Sequence, residues 1–178
     1  MNTDPIILPY KGKMPTIHPT AFIAPGAVII GDVMIGAKSN IWFGCVVRGD
    51  VQSITIGERT NIQDGTVIHV TRVVGPTSIG DGVTIGHQAL LHACTVESDS
   101  FIGMGAKLLD GSVVESGAML AAGALLTPNK RVPTGQLWAG NPAKYFKDLS
   151  EKDIEFFPQS SANYVLHGEE YREELGLN

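Results

Sequence analysis

Cysteine, aromatic side chains and charge are all scarce in this chain, and each shortage excludes a class of protein. Its only cysteines, Cys45 and Cys94, lie far apart in apolar surroundings, which favours a reduced cytoplasmic protein over a disulfide scaffold. Aromatic residues make up 7% and hydrophobic residues 43%, so the core must be mostly aliphatic. Charged residues make up 17%, below the usual ~25%. The net charge of −5 argues against nucleic acid as a partner, because its binders carry a basic surface.

Long apolar runs are also missing. No uninterrupted stretch approaches the ~20 residues that a membrane-spanning helix needs. The opening MNTDPIILPYKGK contains an acid and two early prolines, so it does not resemble a signal peptide. We therefore expect no membrane partner.

What the chain does have is a six-residue period, which neither helical nor simple strand periodicity explains. A small residue often stands four places after the recurring aliphatic, and a glycine often follows it directly. A coil with three short flat sides produces this pattern: the aliphatic points inward, the small residue fits the corner and the glycine relieves the turn. The recurring aliphatics are Ile17, Ile23, Ile29, Ile35, Ile41 and Val47, then Ile56, Ile62 and Ile68, then Ile79, Ile85 and Leu91, and finally Ile102, Leu108, Val114, Leu120 and Leu126.

Over roughly residues 15–130 this pattern resembles the hexapeptide-repeat family, which implies a left-handed parallel β-helix. We expect a mainly β protein with two parts: a left-handed β-helix domain with an N-terminal extension over residues 1–145, and a helical segment over 146–178 packed on the coil. Ser150 and Asp153 predict a capping box at the start of that helix, and Pro158 predicts an interruption. Trp42 follows the inward Ile41 and is expected to face outward, where it would contact a neighbouring chain.

The same count relates histidines that are distant in sequence. Three units make one turn, so His69 and His92 fall on one side of the coil, about 4.8 Å apart along the backbone. Two imidazoles at that spacing can share a metal ion. Arg48 falls on the same side, and Asp50 is near enough to pair with it. His87 lies on another side, above Asp64, and we expect it to reach only a neighbour's histidine pair. This predicts a homotrimer with metal sites between subunits.

Four segments, VVRGD (46–50), TNIQDG (60–65), IH (68–69) and GHQALLH (86–92), resemble the γ-class carbonic anhydrase family. The resemblance implies reversible hydration of CO2 to bicarbonate by a zinc-bound hydroxide at trimer interfaces. It implies that zinc is held by three histidines and that a glutamine orients the hydroxide. It further implies an Arg–Asp pair at the interface and near bicarbonate, and a tyrosine that reaches the site. In this sequence the metal ligands are His69, His87 and His92, the glutamine is Gln63 with neighbours Asn61 and Asp64, the pair is Arg48–Asp50, and the tyrosine is Tyr164. Imidazole also accepts Fe²⁺ or Co²⁺.

Two departures keep other functions open. Active members of the family carry proton-shuttle glutamates after the Arg-Gly-Asp and in the loop between the first two histidines. Here Val51 follows Asp50, and VTRVVGPTS contains no acid. One alternative is a metal-binding trimeric scaffold without anhydrase activity. Another is a hexapeptide acyltransferase or thioesterase, although no long loop for coenzyme A is evident.

Overall fold

The computed structural model describes residues 4–177, so residues 1–3 and 178 of the two predicted parts lie outside it. The chain forms a left-handed parallel β-helix of about seven turns with one α-helix packed against it, as the repeat predicts. No helix in the described part of the chain has both the length and the apolar character needed to cross a bilayer.

Most strands are two or three residues long, because each six-residue unit supplies one short side and one corner. The strands are β1 (Ile6–Leu8), β2 (Thr16–Ile17), β3 (Phe22–Ile23), β4 (Val28–Ile35), β5 (Asn40–Ile41), β6 (Val46–Ile56), β7 (Asn61–Ile62), β8 (Val67–His69), β9 (Thr77–Ile79), β10 (Thr84–Ile85), β11 (Leu90–His92), β12 (Thr95–Val96), β13 (Phe101–Ile102), β14 (Lys107–Leu108), β15 (Val113–Val114), β16 (Met119–Leu120), β17 (Leu125–Leu126), β18 (Arg131–Val132), β19 (Gln136–Ala139) and β20 (Lys144–Asp148). The helix is α1 (Glu151–Glu174).

The core consists of three vertical columns of aliphatic side chains, one for each side of the coil. On the side that carries β6, β8 and β11, Val47 lies opposite Ile68, which lies opposite Leu91. All three are fully buried. Burying one such side chain contributes roughly 1.5–3 kcal/mol, so the columns supply most of the hydrophobic stabilisation. The small corner residues, such as Ala27 and Cys45, are fully buried as predicted.

The glycines that follow the aliphatics have a different role from the predicted one. Gly36 does not have a positive φ, so it does not relieve the turn. A Cβ built there would lie 2.6 Å from the carbonyl carbon of Gly57 in the next coil. These glycines therefore allow successive coils to approach closely, while other residues, including Gly26 and Lys38, adopt the left-handed turn conformation.

Two insertions change the coil without changing the register of the strands that follow. Strand β6 continues around a corner, and its pairing with β4 shifts between Gly31 and Val33, which accommodates the three-residue slip in the repeat. A second excursion lies between β8 and β9, where a bridge joins Thr71 and Gly75. Strands β8 and β11 remain in register across it.

Helix α1 begins with the predicted capping box between Ser150 and Asp153, but the predicted interruption at Pro158 is wrong. The helix is continuous because Phe157, Ser160 and Ser161 are buried against the coil, and this packing holds the helix on both sides of the proline. Ser161 Oγ donates to the carbonyl oxygen of Arg59 at 2.5 Å. Pro158 itself is exposed, so the carbonyl that loses its N–H partner can bond to water.

Trp42 leaves the coil outward but is covered by α1, so the predicted contact with another chain is wrong. The indole is 5% exposed, and its ring centroid lies 5.5 Å from that of Tyr164 and 5.2 Å from that of Tyr171. Phe22 completes the cluster at 5.4 Å. This aromatic cluster thus joins the helix to the coil.

The glycine contacts give a stability prediction. We expect Gly36→Ala to lower the free energy of unfolding by about 3 kcal/mol, because the added methyl meets rigid backbone. Gly26→Ala is the control. The φ of Gly26 is +75°, and no heavy atom lies within 4 Å of a Cβ built there. This substitution should therefore lower the free energy of unfolding by about 1 kcal/mol, through the left-handed backbone conformation alone. Chemical denaturation at a fixed chain concentration measures both. Equal losses would contradict the close-approach explanation.

The two cysteines give a reactivity prediction. Burial raises the pKa of Cys45 to about 11 and that of Cys94 to about 12. Because the thiolate is the reactive form, neither residue should react with Ellman's reagent in the folded protein, and both should react in denaturant. Rapid release of thionitrobenzoate from native protein would contradict this.

Candidate metal site

His69 and His92 lie on one outer side of the coil, directly above one another. They end the paired strands β8 and β11, where His92 is opposite His69. The inward residues before them, Ile68 and Leu91, are fully buried, so alternation along the strand directs both imidazoles outward. The ring centroids are 5.2 Å apart, and Nδ1 of His69 lies 3.2 Å from Nε2 of His92.

A carboxylate engages the far nitrogen of each imidazole. Nε2 of His69 lies 3.0 Å from Oδ1 of Asp50, and Nδ1 of His92 lies 2.5 Å from Oδ1 of Asp110. The sequence reasoning did not identify Asp110. The signal was available, because Leu108 stands one coil above Leu91 and Asp110 follows it by two residues. We call Asp50, His69, His92 and Asp110 the paired half.

The bonding of the paired half is suited to a cation. Carboxylates only accept, so a neutral imidazole bonded to one carries its proton on that nitrogen. The facing nitrogens of His69 and His92 then both present lone pairs across 3.2 Å. A tetrahedral zinc ion with Zn–N bonds of ~2.1 Å holds its nitrogen ligands about 3.4 Å apart, so the observed separation fits zinc.

Arg48 joins the paired half through Asp50. Its Nη1 donates to Oδ2 of Asp50, the carboxylate that also accepts from His69. Burial alone would raise the pKa of Asp50, but the hydrogen bond from His69 and the Arg48 charge outweigh it, and the pKa is lowered. Asp50 therefore stays ionised at neutral pH and remains an acceptor for His69.

His87 lies on a different side of the coil. Strand β10, which precedes it, is paired with β7 so that Thr84 is opposite Asn61 and Ile85 opposite Ile62. This register puts His87 above Asp64, and its Nδ1 lies 2.9 Å from Oδ2 of that carboxylate. Nε2 is left available on a side chain that is 42% exposed.

Gln63 and Asn61 belong to the same side as His87. Gln63 is 6% exposed and donates from Nε2 to Oδ1 of Asn61 at 3.1 Å. Asn61 in turn donates to Oγ1 of Thr84 at 2.9 Å. This ladder fixes the Gln63 amide with Oε1 directed away from Asn61. We call Asn61, Gln63, Asp64 and His87 the single-histidine half.

Tyr164, on α1, lies on the side of the single-histidine half. Its ring packs edge-on against Trp42, and its backbone carbonyl accepts from Nδ2 of Asn40 at 3.1 Å. Burial raises the pKa of the phenol, and the negative charge of Asp64 raises it further. The hydroxyl therefore stays protonated at neutral pH.

The two halves do not meet within one chain. Over residues 4–177, no set of three or more His, Cys, Asp or Glu side chains converges so as to hold a metal. The chain therefore presents two of the predicted ligands, His69 and His92, on one side and the third, His87, on another, which is the placement that the repeat count predicts.

Comparison with known proteins gives the family. The model for "Bacterial transferase hexapeptide (six repeats)" matches residues 14–49. "Gamma carbonic anhydrase 2, mitochondrial" of Arabidopsis thaliana is 52% identical over 158 residues, covering 86% of this chain and 57% of the relative. The chain thus spans less than two thirds of that plant protein. "Carbonic anhydrase" of Geobacillus kaustophilus is 44% identical, with 94% of this chain and 91% of the relative covered.

A solved structure agrees in fold over nearly the whole chain. It is a hexapeptide transferase family protein from Anaplasma phagocytophilum, which is 49% identical, has a TM-score of 0.90, and covers 93% of this chain and 98% of its own. This chain thus shares its fold with a solved structure named as a transferase family protein, and its sequence is similar to relatives named carbonic anhydrase. From the repeat, the fold and the near full-length match to a carbonic anhydrase, this chain belongs to the γ-class carbonic anhydrase family of hexapeptide-repeat proteins.

Proposed function

We propose that this protein is a homotrimeric metalloenzyme that catalyses the reversible hydration of CO2 to bicarbonate. Each site would combine the paired half of one subunit with the single-histidine half of the next. His69, His87 and His92 would hold a zinc ion, with Fe²⁺ or Co²⁺ as other ions that imidazole accepts. Two relatives whose names include carbonic anhydrase, at 44% and 52% identity, support the reaction.

The observation that carries the proposal is the 3.2 Å approach of Nδ1 of His69 to Nε2 of His92, with a carboxylate on the other nitrogen of each ring. With the proton of each neutral imidazole on the nitrogen that faces its carboxylate, both facing nitrogens would be free to bind one metal ion. His87 has the matching design, with Asp64 on Nδ1 and an exposed Nε2. Three neutral imidazoles leave a fourth position open, which is typical of a catalytic zinc site.

A zinc ion held by the three histidines would supply a nucleophile at neutral pH, since zinc lowers the pKa of a bound water to about 7. This chain's residues would supply orientation and charge. Gln63, held by Asn61, would offer a fixed hydrogen-bonding group towards the reacting oxygen. Arg48 would neutralise Asp50, join the subunits and provide positive potential for bicarbonate. Tyr164 would contribute a protonated hydroxyl from the side of Asp64.

Proton export is the step for which this chain lacks a dedicated group. Val51, where active members carry a glutamate, packs partly buried against the core. The excursion between Thr71 and Gly75 carries Val73, which is 92% exposed, and no acid. Dissolved buffer would therefore accept the proton directly.

We also infer that the protein works in the cytoplasm, a reducing compartment. Its two cysteines are buried and unpaired, which supports this.

A mixing experiment tests the shared site. His87→Ala and His92→Ala homotrimers should each lose zinc, and hydration should fall to background. When the two variants are co-expressed at equal levels, random assembly should leave about a quarter of the interfaces with all three histidines. We expect about 25% of wild-type zinc content and CO2 hydration, measured by stopped flow with a pH indicator.

His18→Ala mixed with His92→Ala is the matched control, because His18 lies on another side and bonds to Thr20. In that mixture, activity should come only from the interfaces whose paired half belongs to a subunit that retains His92. No gain on mixing His87→Ala with His92→Ala would contradict the shared site. A zinc-loaded wild-type trimer without hydration would favour the scaffold function, and turnover of acetyl-coenzyme A would favour the transferase.

A second experiment tests proton export. The hydration rate of the wild type should rise with imidazole buffer concentration and then level off, because buffer replaces the missing shuttle. Val51→Glu should raise the rate severalfold at low buffer only, below the ~100-fold that a well-placed proton-transfer group contributes. Val51→Gln, which changes the same packing without adding an acid, should not. A wild-type rate independent of buffer would show that another residue carries the proton.

A further inference from the structure

Asp110 is a carboxylate that neither the repeat count nor the resemblance assigned to the site. Resting on the metal site proposed above, we propose that Asp110 is a positioning residue: it holds the proton of His92 on Nδ1 and so directs an unprotonated Nε2 at the metal. The contact that supports this is the 2.5 Å distance between Oδ1 of Asp110 and Nδ1 of His92.

The backbone around Asp110 is fixed from the coils on both sides. The N–H of Gly111 donates to the carbonyl oxygen of Ala93 at 2.7 Å in the coil that carries His92. The carbonyl oxygen of Asp110 accepts from the N–H of Asn129 at 3.0 Å in the following coil. These bonds fix the position of the Asp110 carboxylate along the coil axis relative to the His92 ring. The contact between Asp110 and His92 therefore follows from the same register that stacks the histidines.

The contact determines which nitrogen of His92 carries the proton. A neutral imidazole has one N–H, and an ionised carboxylate can only accept it. With Nδ1 as the donor, Nε2 keeps its lone pair and faces Nδ1 of His69 at 3.2 Å. Without the carboxylate, the more common arrangement with the proton on Nε2 would block the ligand atom. Asp110 therefore performs for His92 what Asp50 performs for His69.

Zinc affinity tests this role without relying on activity. Competition with a chelator should show that Asp110→Asn and Asp110→Ala each weaken zinc binding by about 10- to 100-fold, the usual loss when such a partner is removed. Asp99→Asn is the control, because Asp99 follows β12 on another side of the coil, where its N–H bonds to Asp81. It should bind zinc as the wild type does. Circular dichroism and the trimer elution volume verify folding.

The tautomer of His92 can be read in the metal-free protein. In ¹⁵N-histidine-labelled wild type in mildly alkaline buffer, Nδ1 of His92 should carry the proton. Comparison with His92→Gln identifies the signal. In Asp110→Ala the proton should shift towards Nε2. If this variant does not fold, Asp110→Asn gives the measurement.

The outcomes separate this inference from the proposed function. Unchanged zinc affinity in both Asp110 variants, or an unchanged tautomer, would overturn the role of Asp110 even if the wild type hydrates CO2. Lower zinc affinity with a shifted tautomer would support it, even if the zinc-loaded wild type hydrates nothing. If the wild type bound no zinc, the metal site and with it the positioning role would both fail.

Discussion

The vertical register between successive coils is the constraint on which the rest of this structure depends. Parallel pairing stacks residues of adjacent coils about 4.8 Å apart, so side chains separated in sequence by a whole coil become direct neighbours. His92 is opposite His69 because Leu91 is opposite Ile68, and the buried aliphatics leave no alternative register. A slip by one residue would turn the imidazoles inward and the aliphatics out. The hydrophobic columns therefore fix the positions of the proposed metal ligands His69 and His92.

The sequence was sufficient to predict the features that the six-residue period determines. The coil, its aliphatic columns, the stacking of His69 under His92 and that of Asp64 under His87 all follow from counting units. The errors concern what lies outside the coil. Pro158 is tolerated because tertiary packing holds α1, and Trp42 is covered by that same helix. Neither effect is encoded in a local pattern. Asp110 was missed although the same count, carried one coil further, leads to it.

The two halves show how one chain can carry all the parts of a site without assembling it. The paired half and the single-histidine half occupy different sides, and each histidine already has a carboxylate on the nitrogen that faces away from a ligand position. The three imidazoles are therefore already oriented within the single subunit. In the proposed trimer, association would need only to bring these prepared surfaces together, which would reduce the entropy lost on metal binding.

The excursion from Thr71 to Gly75 separates β8 from β9 and yet leaves β8 and β11 in register. Its length is thus independent of the distance between His69 and His92. Natural selection can lengthen, shorten or recharge this segment without disturbing the ligands, because loop insertions at such sites cost little free energy. If the proposed site is correct, the speed at which protons leave could diverge through this segment while the coordination geometry stays the same.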